Sequence, residues 1–174
     1  TITSGDSANA IDENTGAGQV IYTATADDSA DVSDGISFSL AAGSDAALSI
    51  DAESGAVTLS TDPDADTQSV YSFTVVVTDA AGNASEQAVS LDITDLDEVA
   101  PTVTSADTAA TIDENSGAGQ VIYTATADDS ADVSDGVTFS LTEDSDAGLS
   151  VDAQSGAVTL SADPDHEAKS EYSI

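Results

Sequence analysis

The 174-residue sequence sets 34 acidic side chains against a single basic one, Lys169, for a formal net charge of −33. That balance argues against nucleic acid and anionic membrane surfaces as partners, since both need clustered Lys and Arg. Cysteine is absent, so there are no disulfides and no thiolate zinc sites, and no apolar run approaches the roughly 18 residues of a membrane span.

High charge with few aromatics can mean an unfolded polymer, but period-two alternation runs along the chain. A first strand is expected around Ala8 to Asp12, followed by Val20, Tyr22, Ala24 and Ala26 in alternation with polar or small residues. Ile36, Phe38 and Leu40 come next, then a short strand at Leu48 to Ile50, then Val57 and Leu59. Tyr71, Phe73, Val75 and Val77 alternate, as do Val89, Leu91 and Ile93. Such runs, rich in Val, Ile, Thr and aromatics, are half-buried strands. Turn residues separate them at Asp34-Gly35, Ser54-Gly55 and Ala80-Ala81-Gly82-Asn83. About seven short strands in about 100 residues define an immunoglobulin-like β-sandwich, here without its Cys and Trp marks. The expected core is Val20, Tyr22, Ile36, Phe38, Leu40, Val57, Leu59, Phe73, Val75, Val77, Val89, Leu91 and Ile93, because a one-residue slip would turn each set outward.

The pattern then recurs. Thr102 onward aligns with Thr1 onward without a gap, and Gly16 to Gly35 is identical to Gly117 to Gly136. A period near 100 suits a whole domain copied in series rather than a solenoid turn. The acidic stretch Asp95-Leu96-Asp97-Glu98 and Pro101 mark the junction, which divides the chain into a first repeat, 1–101, and a second, 102–174. Ile174 corresponds to Phe73, so the second copy is truncated, and the expectation is that the native protein continues with a segment like Thr74 to Asp95.

Three acidic clusters carry candidate chemistry: Asp12-Glu13-Asn14, Asp62-Pro63-Asp64-Ala65-Asp66 and the junction stretch. Calcium is their natural partner, because it takes six to eight oxygens in flexible geometry. The Asp62 cluster is not an EF-hand loop, which would need Gly at Thr67 and Glu at Phe73. A salt-adapted solubility surface accounts for many of the remaining acids without any site.

Taken together, the ordered acids resemble the cadherin repeat. The matching positions are Glu13; Asp28 with Asp31; Asp64 with Asp66; Asp79 before Gly82; and Asp95, Asp97, Glu98 and Pro101. In the second copy they are Glu114, Asp129 with Asp132, and Asp165 with Glu167. The resemblance implies tandem seven-stranded Greek-key sandwiches, all-β, with calcium between repeats held by Glu13, Asp64, Asp66, Asp95, Asp97, Glu98, Asp129 and Asp132. Asp28, Asp31 and Asp79 would serve an N-terminal junction, and Glu114, Asp165 and Glu167 a C-terminal one. Asp97 and Glu98 depart from the family's usual Asn and Asp.

The Ala, Ser, Thr and Asp-rich composition and near-identical copies look like the bacterial branch of this family, the extender region of large secreted RTX-type surface adhesins involved in biofilms. That likeness implies a monomeric extracellular cell-surface spacer whose partners are neighbouring repeats of the same chain, without nucleic acid or membrane insertion. An alternative is an adhesive module with weak carbohydrate or homophilic contacts, although Tyr22, Phe38, Tyr71 and Phe73 all fall in the buried phase. Catalysis finds little support: His166 and Lys169 correspond to Ala65 and Gln68 in the first copy, so neither belongs to the repeated design. Asn83-Ala84-Ser85 matches a glycosylation sequon, a short pattern with many chance matches.

Overall fold

A computed structural model describes residues 1–30 and 35–174. The chain divides into two compact units, Thr1–Leu96 and Asp97–Ile174. The first contains seven strands: β1 (Ile11–Asp12), β2 (Gln19–Thr23), β3 (Ile36–Leu40), β4 (Leu48–Ile50), β5 (Ala56–Leu59), β6 (Val70–Asp79) and β7 (Ala84–Thr94). They form two sheets, in the orders β1-β7-β6-β3 and β2-β5-β4. β1 lies parallel to β7, with Ile11 opposite Ile93 and Asp12 opposite Thr94. The other neighbours are antiparallel. This parallel edge brings the first strand to the end of the last, so Glu13 and Asp95 leave the sheet at the same place.

The core is built from the inward residues of both sheets. Phe38, Tyr71, Phe73, Val75, Val77, Val89, Leu91 and Ile93 from one face Ile21, Leu48, Val57 and Leu59 from the other. Tyr22 meets Phe73 edge-on, with ring centroids 5.6 Å apart and planes at 71°, a geometry worth about 0.5–1.5 kcal/mol beyond area burial.

One expected core residue is on the wrong face. Val20 is 60% exposed and Ile21 is buried at 8%, because β2 carries an irregularity between Val20 and Tyr22 in its pairing with β5. Val20 lies opposite Thr58 and Tyr22 opposite Val57, leaving Ile21 as the extra residue. An inserted residue shifts the pleat by one, so Ile21 and Tyr22 both turn inward, and Tyr22 is half-buried against the core. Ile36 and Leu40 are likewise only partly buried at the ends of β3.

The Ser54-Gly55 turn is constrained twice. Gly55 has φ +70°, and a Cβ there would stand 2.5 Å from the carbonyl oxygen of Ala24, whose N–H donates to Gly55 O at 2.8 Å. Asp51 closes the same turn, with Oδ1 accepting from Ser54 N and Ser54 Oγ at 2.8 Å and from Glu53 N at 3.2 Å. These bonds, led by the Ser54 N–H, hold the Asp51 carboxyl below the usual carboxylate range. Asp152 repeats the device with Ser155 in the second unit.

The second unit contains β8 (Thr102–Val103), β9 (Gln120–Thr124), β10 (Ala127–Asp128), β11 (Leu149–Val151) and β12 (Ala157–Leu160). They make a three-stranded sheet, β11-β12-β9, and a β10-β8 pair. The same irregularity recurs where β12 meets β9, and Val121 is 59% exposed like Val20. Residues 137–141, the counterpart of β3, are outside any strand. In the first unit β3 finds its partner in Val75 to Asp79 of β6. A cleft of about 940 Å³, lined by Ile112, Ile122, Tyr172 and Ile174 among others, opens in this unit. Their counterparts Ile11, Ile21, Tyr71 and Phe73 pack together in the first unit.

The bulge predicts opposite outcomes for adjacent residues. Ile21→Ala should cost about 2–5 kcal/mol in urea denaturation, whereas Val20→Ala should stay within about 0.5 kcal/mol. Equal costs at the two positions would contradict this register.

Candidate metal centre

The candidate metal-binding acids fall into four groups, two in each unit. Where the first unit ends, Glu13 is buried at 2% exposure. Its Oε2 accepts from Ala65 N and its Oε1 from Leu96 N, both at 2.7 Å. Glu13 N donates to Thr94 O at 3.1 Å, and Asn14 N to Pro63 O at 3.0 Å. One carboxylate thus ties the exit of β1, the 62–66 turn and the exit of β7. Ala65 lies between Asp64 and Asp66, and Leu96 follows Asp95, so these three acids are drawn to the same corner. Asp64 caps its own turn, accepting from Thr67 N and Thr67 Oγ1 at 2.9 Å. Asp62, outside the expected ligand set, accepts from Gly16 N at 2.7 Å and holds the 14–18 turn. One oxygen of Asp95, Oδ1, is buried.

At the start of the second unit, Asp132 Oδ2 accepts from Glu98 N at 2.9 Å and Oδ1 from its neighbour Val133 N at 2.7 Å. These two N–H groups, Glu98 first, hold the Asp132 carboxyl below the ordinary range. Asp129 accepts from the Ser134 hydroxyl. The 97–98 stretch therefore docks on the loop carrying Asp129 and Asp132 inside one unit.

A third group lies where the first unit begins. Asp27, Asp28, Asp79 and Asn83 line a cavity of about 80 Å³ together with Thr1, Ile36 and Val77. Asp28 Oδ2 is buried and accepts no hydrogen bond from the described residues. Asp79 accepts Asn83 N on Oδ1 and Asn83 Nδ2 on Oδ2, both at 2.8 Å, and these bonds, the side-chain amide first, hold its carboxyl low. Asp31, expected here, lies outside the described residues. Asp27 and Asn83 were not among the expected site residues. Asp27 is adjacent to Asp28, and the sequence marks Asn83 only as part of a turn and a sequon.

The fourth group is Glu114, Asp165 and Glu167, each exposed and offering a carboxylate oxygen within 4.8 Å of the others. Asp165 Oδ1 accepts from Glu167 N and Ala168 N at 3.1 Å. Glu114 accepts from His166 N at a longer 3.3 Å and is exposed, unlike its buried counterpart Glu13. His166 is also exposed. Lys169 Nζ pairs with Asp146 Oδ1 at 2.6 Å and sits 5.4 Å from the Tyr172 ring centroid.

Calcium fits these donors. The groups offer hard carboxylate oxygens, which suit a cation that takes six to eight oxygens. A buried carboxylate oxygen without a donor, as at Asp28, is costly unless a cation satisfies it. Two like charges about 4 Å apart repel by about 1 kcal/mol in water and about 4 kcal/mol near a protein surface.

Residues 8–94 match the cadherin domain, and the chain belongs to the cadherin-domain family. Cadherin domains are extracellular adhesion modules rather than enzymes. The chain is 30% identical over 125 residues to the protocadherin-like wing polarity protein stan of Drosophila melanogaster, covering 68% of this chain and 4% of that protein's length. Solved structures share the fold. Mouse cadherin-23 EC22-24 superposes with a TM-score of 0.62 at 23% identity, over 94% of this chain and 54% of that one. Human protocadherin-24 EC1-2 gives 0.66 at 18%, over 94% and 77%. Drosophila N-cadherin EC1-4 gives 0.64 at 24%, over 94% and 40%. No helix among the described residues is long and apolar enough to cross a membrane.

The buried clasp yields a direct expectation. Glu13→Ala leaves the Ala65 and Leu96 N–H groups without their acceptor and should cost about 1.5–3 kcal/mol in urea denaturation, as expected for hydrogen bonds to a charged group. Glu114→Ala, at an exposed site, should cost clearly less. Equal costs would mean that burial of Glu13 contributes nothing.

Proposed function

We propose that this chain is a pair of calcium-stiffened extender repeats of a bacterial cell-surface adhesin, holding a distal binding domain away from the cell. Calcium would be held by Glu13, Asp64, Asp66 and Asp95 of the first unit and by Asp97, Glu98, Asp129 and Asp132 of the second. Asp28 and Asp79, with Asp31, would serve the preceding junction, and Glu114, Asp165 and Glu167 the following one. The observation that carries the reading is the Glu13 clasp, which gathers three further acids at one end of a unit in a chain with one basic side chain. The bacterial assignment is supported by the near-identical copies and the Ala, Ser, Thr and Asp-rich composition. The carbohydrate-binding alternative loses support, since Phe38, Tyr71 and Phe73 are buried and Tyr22 packs on the core.

Affinities should fall in the range of extracellular modules, about 10⁻⁴ to 10⁻³ M. At a hundredfold excess over that constant each site adds roughly 2.7 kcal/mol to the folded state. Chelation should release the joint before it unfolds either sandwich, because the carboxylates near the boundary then repel without compensation. Small-angle scattering in millimolar calcium and then in chelator checks this. Greater flexibility in chelator, with the β-sheet circular dichroism retained, is expected; identical scattering curves would refute the stiffening role.

A further inference from the structure

We propose that Asn83 is a positioning residue that fixes the Asp79 carboxylate for a divalent cation shared with Asp28. This inference rests on the calcium reading above and adds a residue to it. Asp79 ends β6 and Asn83 immediately precedes β7, so the two face each other across the tight turn that joins the longest strands of the unit. Within that turn the contacts are reciprocal. Asp79 N donates to Asn83 O at 3.0 Å and Gly82 N to Asp79 O at 3.1 Å, while Asn83 N and Asn83 Nδ2 each donate to one Asp79 oxygen at 2.8 Å. Gly82, at φ +90°, supplies the left-handed backbone that lets the turn close.

Two donors on two oxygens hold a carboxylate in one rotamer and one ring-like orientation. Each oxygen keeps a second acceptor direction, so the clamp does not exhaust the capacity of Asp79 for a cation. The same cavity holds Asp28, whose buried Oδ2 accepts no hydrogen bond from the described residues. A carboxylate fixed in advance binds a cation without first giving up rotamer freedom, and outer-shell partners of this kind typically change metal affinity 10–100-fold when removed. Asn is suited to the position because its amide donates without adding charge beside two acids; an Asp there would add a third carboxylate, and an Ala would leave Asp79 with backbone N–H donors alone, without the side-chain amide that contributes most.

The test uses the full 174-residue chain and calcium chloride as probe, followed through the amide signals of Asp28 and Ala84, with Glu167 as an internal reference in the other unit. In the unaltered chain all three signals should shift saturably. Asn83→Ala should weaken the constant reported by Asp28 and Ala84 by 10–100-fold and leave that reported by Glu167 unchanged. Asp79→Asn should abolish the response at Asp28. Thermal melting separates positioning from simple turn stability: a purely structural Asn83 would lower the midpoint equally in calcium and in chelator, whereas a positioning residue shrinks the increment that calcium adds. No saturable shift at Asp28 in the unaltered chain would overturn the calcium reading itself. Saturation with the same constant in Asn83→Ala would overturn the positioning role alone.

Discussion

A buried carboxylate organises the first unit. Glu13 sits just past β1 and accepts backbone N–H groups from two segments that lie 52 and 83 residues further along the chain. The cost of removing a carboxylate from water is met only by good hydrogen-bonding geometry, and Glu13 has it on both oxygens. The parallel pairing of β1 with β7 places it there. Asp64, Asp66 and Asp95 then follow from their adjacency to the residues whose N–H groups Glu13 accepts. The acids of this corner are assembled by the fold rather than by any one loop.

That assembly works against the chain's overall charge. Thirty-four carboxylates face one lysine, and the lysine is already engaged with Asp146. Backbone N–H groups and hydroxyls are therefore the main donors to these acids, at Asp51, Asp64, Asp132 and Asp152 alike, with a side-chain amide added at Asp79. Such donors stabilise the charged form but do not neutralise it. A divalent cation supplies positive charge together with many oxygen sites in one volume, which no residue of this sequence can do. The pairing of a cadherin sandwich with this composition thus has a simple physical basis: the fold gathers acids near the ends of each unit.

Most of the sandwich was readable from alternation because a half-buried strand has a period of two and the core of the first unit keeps it. Phe38, Val57, Leu59, Val75, Val89 and Leu91 are buried where the pattern puts them. Val20 failed because a single inserted residue in β2 reverses the phase, and Val, Ile and Tyr in a row give no hint of which one is extra. The near-identity of the copies reproduces the bulge at Val121 without revealing it. In the second unit residues 137–141 kept the strand-like pattern of β3, yet a strand also requires a partner, and pairing is a long-range property. Among site residues, ordered acidic motifs pointed to Glu13 and Asp132 but not to their hydrogen-bond roles. Asp27 and Asn83 were missed for different reasons. Asp27 is one of two consecutive acids with equal claim on the motif, and Asn83 contributes through Asp79, a relation visible only once the β6–β7 turn closes.

Under the proposed calcium reading, specific divalent binding rather than general ionic screening offsets the repulsion among these carboxylates. Screening acts on every exposed charge and depends only on ionic strength, whereas a site saturates. Thermal melting at constant ionic strength, with sodium chloride exchanged stepwise for calcium chloride, separates the two. The account predicts a midpoint that rises through the millimolar range and levels off as sites fill, with potassium in place of sodium making no difference. A midpoint that stays constant throughout the exchange, moving only when total ionic strength is changed, would contradict it.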